Sequence, residues 1–574
     1  WLGGSVTPNY RQDAKISLRD ITRDRNAENK FVLDKCPWCG GQLGPVAWPK
    51  GTPKQFRIPI GYKSKNKTVV FECYDAKCPF SKGIPIYVID EDIYEARPSL
   101  IIGTVDKFAM LAWKPEARSL FGINDAGSRD VTPPSLIIQD ELHLISGPLG
   151  SMVGLYETVI EELCTDRREG KEIKPKIICS TATIRKYKEQ VKALYCRTKV
   201  SLFPPPGISV DDSFFSKYAK DGNGHNLPGR MYVGIYAPGL GSLQTTQVRT
   251  FTSLLQAPMK LDEDYQDPWW TLIAFFNSLR ELGTTLSLLQ SDIPDRFKVI
   301  KNRFGLDHSG IRKLYDIREL TSRLRSDEIP KSISNLEVQK TKGNYPVDIC
   351  LTSSIMEVGI DIDRLSLMVV VGQPKSTSQY IQVTGRVGRK WNERPGLVAT
   401  IYTASKPRDR SHFEKFRSYH DKLYAEVEPT SVTPFSPPAL DRALHAVLIA
   451  YIRQFASIDA IKTPYPIPEE FINKFMCLMK SRLAIIAPEE LPNLARIFDK
   501  RIDEWKRWKR LRWQGDIGED APLMVRAGEY IQPGFKDVVW ETPMSVRSVD
   551  SECQVQITNL YSKEEVNGSA EGTD

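Results

Sequence analysis

"IIQDELHLISG", residues 137–147, runs an apolar stretch straight into two carboxylates and, one residue beyond them, a histidine. A short continuous apolar run bounded by polar residues reads as a buried strand, and this one delivers Asp140 at its carboxyl end. A carboxylate at that point can hold Mg²⁺ through water, and Glu141 beside it can polarise a water for attack on a γ-phosphate. The same four letters also fit a strand that ends in a solvated acidic turn, so the surroundings have to decide.

Residues 99–203 alternate short apolar runs with polar or amphipathic stretches, the βαβ signature of a parallel sheet. "KIICSTATI" (176–184) ends a further strand on Ser180, Thr181 and Thr183, hydroxyls suited to relaying the state of a bound nucleotide. "LIIGTVDKFAML" (100–111) places Thr104, Asp106 and Lys107 on a strand-to-helix turn, where hydroxyls, backbone N–H groups and a helix N-terminus can take nucleic-acid phosphates. "FPPPGISVDDSFF" (203–215) reads as a linker, and "RMYVGIYA" (230–237) as a strand after an exposed loop.

From Trp270 to Thr403 the alternation returns, and "TLIAFFNSL" (271–279), "VDICLTSSI" (347–355), "LSLMVVVG" (365–372) and "LVATIYTA" (397–404) read as buried strands of a second α/β domain. After the second of these come Thr352, Ser353 and Ser354, suited to a nucleic-acid backbone, and then a turn with Glu357, Gly359 and Asp361, the last suited to a ribose hydroxyl. "QYIQVTGRVGRK" (379–390) closes the region with Gln382, Gly385, Arg386, Gly388 and Arg389 in the pattern Q-x-x-G-R-x-G-R. Planar, permanently charged guanidiniums are what a phosphoryl-transfer transition state needs from across a cleft.

Taken in order, GTVDKF, DELH, STAT, TLIAFFNSL, TSSIMEVGIDID and QVTGRVGR resemble motifs Ib to VI of the superfamily 2 helicases over roughly residues 99–405. That resemblance implies two RecA-like domains of the P-loop NTPase type, ATP in the cleft between them and a nucleic-acid strand across both. It implies Asp140 and Glu141 serving Mg²⁺ and water, His143 coupling the domains, Gln382, Arg386 and Arg389 completing the catalytic set, and Thr181, Thr183, Gly359 and Asp361 on the nucleotide. The departure is motif I: no G-x-x-x-x-G-K-[ST] loop occurs among the 574 residues. The chain starts on Trp1 rather than Met, and the expectation is that this loop belongs to an upstream segment, leaving the chain as printed inactive alone.

"WLGGSVTPNYRQDAK" (1–15), "FVLDKCPWCG" (31–40), "DELHLISGPLGSMVGLYE" (140–157) and the stretch 354–389 are similar to the helicase subunit family of the DISARM phage-defence system. This narrower resemblance implies an antiviral DNA helicase or translocase acting with a partner protein, DrmB. The alternative is an ATP-gated DNA clamp or scaffold that recruits a partner without unwinding.

Cys36 and Cys39 in "CPWC" and Cys73 and Cys78 in "CYDAKC" bracket "GYKSKNKTVVFECY" (61–74), which reads as a hairpin. Two such knuckles can gather four thiolates around a tetrahedral Zn²⁺ with no open position, a structural rather than a catalytic site; buried, unligated thiols are the other reading. The isolated Cys164, Cys179, Cys196, Cys350, Cys477 and Cys553 read as ordinary core residues. The run from Trp505 to Trp513 fits base stacking, and equally an amphipathic helix that buries its tryptophans.

The expected organisation is the end of an upstream region (1–30), a zinc-binding insert (31–90), RecA-like domain 1 (91–205), a linker with a strand (206–260), RecA-like domain 2 (261–410) and a mixed, mainly helical accessory domain (411–574). Hydrophobic residues make up 41% and charged residues 26%, ordinary for globular domains. A formal net charge of +8 fits a polyanionic partner. No apolar run is long enough to span a membrane and no signal peptide opens the chain. Few cysteines, four of them at metal spacing, point to a reducing cytoplasm.

Overall fold

Strands that are apolar along their whole length rather than at alternate positions must be covered on both faces. In the computed structural model this holds for β6 (Leu272–Phe276), β8 (Ile349–Thr352) and β9 (Leu367–Val371), every residue of which is buried. The structure describes all residues except 5, 47–58, 182–184, 206, 209–212, 216, 326, 342, 358–360, 391–393, 430, 518–520, 532–533 and 548–574. Among the described residues a parallel six-stranded sheet has the order β5-β10-β9-β6-β8-β7, with β5 at Arg230–Tyr236, β7 at Ile317–Leu320 and β10 at Gly396–Tyr402. Alternate residues feed two separate cores: Ile273, Phe275, Met368 and Val370 on one face, Leu272, Ala274, Phe276 and Val369 on the other. The four strands expected between Trp270 and Thr403 are here. The strand at 230–237 joins the same sheet, pairing in parallel with β10 over seven residues.

The acidic stretch lies on a smaller sheet. β3 (Leu136–Gln139) pairs in parallel with β4 (Lys176–Cys179). Ile137, Ile177 and Cys179 pack against the neighbouring core, while Leu136, Ile138 and Ile178 are 47%, 63% and 47% exposed. The continuous apolar run is thus covered on one face rather than two.

That core is shared with the C-terminal helices. Helix Pro437–Phe455 packs on helix Gly147–Cys164 and supplies Leu444, Val447 and Leu448 to the cluster that holds Leu111, Leu155 and Leu163. Polar contacts fasten the two chain regions: the buried Arg453 donates to the Ala112 carbonyl at 2.7 Å, and Gln454 to the Leu111 and Lys114 carbonyls at 2.8 and 2.9 Å. Arg118, itself buried, donates to the carbonyls of Arg453 and Ala456.

The cysteine-bearing region is built on an antiparallel hairpin of β1 (Tyr62–Lys65) and β2 (Thr68–Phe71). Asn66 and Lys67 both take positive φ, 49° and 66°, as a two-residue hairpin turn requires. Its core, with Tyr62, Val69 and Phe71, also takes Ala14 and Ile21 from helix Arg11–Arg23 and Phe31 beyond it. Among the described residues no helix is long and apolar enough to cross a membrane.

Candidate functional site

At the end of β3 the chain reverses sharply. Glu141 adopts the left-handed conformation, φ 50°, and Leu142–Leu144 form a single tight helical turn. A non-glycine residue is held there because its neighbours are fixed: the Glu141 N–H donates to Asp140 Oδ1 at 2.9 Å, and the Leu142 N–H to the Ser180 carbonyl at 2.9 Å. The Ser180 hydroxyl donates to the same Asp140 oxygen. Parallel pairing of β3 with β4 thus brings the hydroxyl-rich end of one strand against the carboxylates at the end of the other.

His143 is 9% exposed and stands where three groups meet. Its Nδ1 lies 3.2 Å from the Thr181 hydroxyl and 3.3 Å from a Glu141 oxygen. Its Nε2 lies 2.6 Å from Gln382 Nε2, on a residue 239 positions away. Gln382 donating to Nε2 makes that nitrogen the acceptor, which leaves the proton on Nδ1 facing Thr181 and Glu141. Burial holds the imidazole below its ordinary pKa, against the opposing charge of Glu141, so the neutral ring this contact needs is the favoured one.

Gln382 sits on helix Thr377–Thr384, started by the Ser376 hydroxyl accepting the Gln379 N–H at 3.2 Å. Just beyond the helix, Arg386 donates through Nε to the Met356 carbonyl at 3.1 Å. Burial and the neighbouring Arg389 lower its pKa, and the carboxylates of Glu141 and Asp361 act in the opposite sense. Arg389 pairs with Asp361 at 2.5 Å. The acidic loop of one unit and the arginine loop of the other therefore face each other. A cavity of about 500 Å³ lies beside the arginine loop, lined by Gly229, Arg230, Asp363, Gly385, Gly388 and Arg389.

Gly388 explains why this loop needs glycine. Its φ is +67°, and a Cβ there would lie 2.5 Å from Gly396 Cα and 2.7 Å from its nitrogen. The same loop is held by a residue outside every sequence motif. Arg230, at the start of β5, donates to the Val387 carbonyl at 2.8 Å and to the Gly385 carbonyl at 3.2 Å, clasping the backbone on either side of Arg386. Nothing local marks Arg230; the parallel pairing of β5 with β10 brings it there.

Other expected positions fall elsewhere. Thr104 and Ser354 are exposed, and Ser353 is nearly covered. Lys107 is corrected as a phosphate contact: it is 3% exposed, with its ammonium 2.6 Å from Asp90 and 3.0 Å from Asn9 Oδ1, an internal ion pair with no face to solvent. Thr352 is corrected likewise, since its fully buried hydroxyl donates to the Leu320 carbonyl at 3.0 Å inside the sheet. Asp106 is held by Arg547 at 2.8 Å and by the Ser545 hydroxyl. The base-stacking reading of the tryptophan run is overturned: Trp505 and Trp513 are buried and donate to the Pro464 and Ile461 carbonyls. Thr183 and Gly359, like Cys553, lie outside the described residues.

The four clustered cysteines converge. Cys36 and Cys78 sulfurs are 3.9 Å apart, those of Cys39 and Cys73 3.4 Å, and all four lie within 4.8 Å of one another. Four thiolates at zinc–sulfur bond length on a tetrahedron stand about 3.8 Å apart, so the set fits Zn²⁺.

The family model of the helicase conserved C-terminal domain matches residues 299–390, which include β7, β8, β9 and the arginine loop. The matched segment is a helicase C-terminal domain, and the chain as a whole is similar to superfamily 2 helicases. Within that class its relationship runs to the DISARM protein DrmA of Bacillus paralicheniformis, 38% identical over 542 residues, 88% of this chain and 47% of DrmA. The chain thus spans about half the length of that relative. Two solved structures are also similar. One is the DUF1998 helicase MrfA bound to DNA, 19% identical with a TM-score of 0.41, covering 63% of this chain and 40% of that one. The other is the helicase Lhr of Mycobacterium smegmatis bound to single-stranded DNA and AMP-PNP, 15% identical with a TM-score of 0.40, covering 71% and 43%.

Proposed function

We propose that this chain is the part of an ATP-driven DNA helicase or translocase of a phage-defence system in which ATP hydrolysis between two RecA-like units is turned into movement on DNA. The observation that carries the reading is the 2.6 Å contact between His143 and Gln382, which ties the carboxylate loop to the helix leading into Arg386 and Arg389. In this reading Asp140 holds Mg²⁺, Glu141 takes the proton of the attacking water, and Arg386 and Arg389 neutralise charge on the transferred phosphoryl group. Thr181 and His143 sense the nucleotide, Asp361 positions Arg389, and Thr104, Ser353 and Ser354 remain as backbone contacts to DNA. The phosphate-binding loop that such hydrolysis requires is not among the 574 residues, so the activity is that of the full-length protein. DrmB as partner and a cytoplasmic location belong to the same reading.

The test is DNA-stimulated phosphate release by the full-length protein. Glu141→Gln is expected to lower kcat by about 10²–10⁴-fold while nucleotide binding persists; unchanged hydrolysis in that variant would mean the site is misassigned. Zinc on Cys36, Cys39, Cys73 and Cys78 is proposed as a structural ion. Elemental analysis is expected to find one zinc per chain, lost together with protease resistance of the 11–89 region on treatment with a strong chelator. Purified protein free of zinc yet folded there would refute it.

A further inference from the structure

We propose that the two cysteine knuckles carry a second nucleic-acid contact outside the cleft: unpaired bases of a single strand stack on Trp38 and Tyr74, and Lys35, Lys77 and Lys82 meet the flanking phosphates. Trp38 lies within the first knuckle and Tyr74 within the second. Convergence of the four sulfurs to within 4.8 Å brings the two knuckles that carry these rings together. The Tyr74 ring rests against Gly41, where an added Cβ would sit 3.1 Å from Tyr74 Cε1 and 3.3 Å from Cys39 Sγ. Trp38 stands edge-to-face with Phe80 at 5.9 Å. Each ring is thus held from one side, yet Trp38 is 68% and Tyr74 62% exposed. Trp505 and Trp513, by contrast, are buried and hydrogen-bonded. A flat aromatic surface left open to water costs solvation free energy in the free protein and is covered when a base stacks on it.

Charge selects the occupant. Residues 31–90 hold nine Lys and Arg against four Asp and Glu, so this tenth of the chain carries +5 of the formal +8. Lys35, Lys77 and Lys82 are exposed, and among the described residues their ammonium groups have no ion pair, whereas Lys63 on the β1–β2 hairpin is matched by Glu72 at 2.5 Å. Rings interleaved with unpaired lysines suit the alternation of bases and phosphates along a single strand.

The inference rests on the reading that the protein binds DNA, and one experiment separates the two. Binding of a fluorescently labelled oligo-dT 20-mer to the full-length protein without nucleotide is followed by anisotropy, with zinc content as the control for folding. Trp38→Ala with Tyr74→Ala is expected to weaken binding at least about tenfold, and Trp38→Phe with Tyr74→Phe to retain most of the affinity. Replacing the three lysines by alanine is expected to reduce the slope of log K against log salt by about two. If the alanine pair binds as tightly as the unaltered protein, the knuckles take no part and the inference falls while the DNA reading stands. Loss of affinity in the lysine variant alone overturns the stacking, and absence of any DNA binding by the unaltered protein overturns both.

Discussion

Arg230 illustrates what one side chain does for the arginine loop without approaching the chemistry. Its guanidinium is forked, so it holds the Gly385 and Val387 carbonyls at once, a geometry that lysine cannot reproduce. Because it fixes the backbone on both sides of Arg386, its effect should fall on the transition state rather than on nucleotide affinity. Arg230→Ala is expected to lower kcat of DNA-stimulated hydrolysis about tenfold, with the KM for ATP changed less than about twofold. Arg230→Lys should recover only part of the loss. A rise in KM with kcat intact would assign Arg230 to nucleotide binding instead.

At the scale of elements, helix Pro437–Phe455 carries a group that makes folding sensitive to acid. His445 is fully enclosed, its Nε2–H donating to the Glu541 carbonyl at 3.0 Å, and burial pushes its pKa from 6.5 down to about 3. The unfolded chain therefore takes up a proton between those values and the folded chain does not. Its contribution is constant above pH 6.5, and stability falls as pH drops below that value, levelling off only near the folded pKa. The slope from this one group is about 1.4 kcal/mol per pH unit. Urea unfolding of the unaltered protein and of His445→Gln at pH 7 and pH 5 tests this; equal pH sensitivity in the two would show that His445 does not contribute.

At the scale of the whole molecule, the last described part of the chain completes the core around the acidic loop rather than standing apart from it. Trp505 is wholly buried, packed edge-on against Trp513 and Trp540 with ring centroids 5.7 and 5.8 Å away. Trp505→Ala is expected to cost about 3–5 kcal/mol of stability, read by chemical denaturation. The folded fraction should bind single-stranded DNA as before. Weakened binding at unchanged stability would restore the base-stacking role that burial argues against.

Order, period and residue type are enough to make several features of this protein legible. Uninterrupted apolar runs announce strands, and β6, β8, β9 and β10 lie where those runs are, although the same kind of run in β3 is covered on one face only. The stretch 61–74 between the cysteine pairs reads as a hairpin, and paired cysteines mark the convergence of sulfurs. That the acidic loop faces the arginine loop could be expected only from motif order, because nothing in DELH specifies what stands opposite it. Tertiary structure decided the rest, since these outcomes depend on contacts between distant residues. His143 meets Gln382 across 239 positions, Arg230 reaches the arginine loop through a parallel strand pair, and Lys107 is withdrawn from solvent by Asp90. A lysine on a turn and a tryptophan beside arginines read alike whether buried or exposed. Burial is set by the packing of the whole chain, and that separated Trp505, enclosed among its neighbours, from Trp38, left open at the cysteine knuckles.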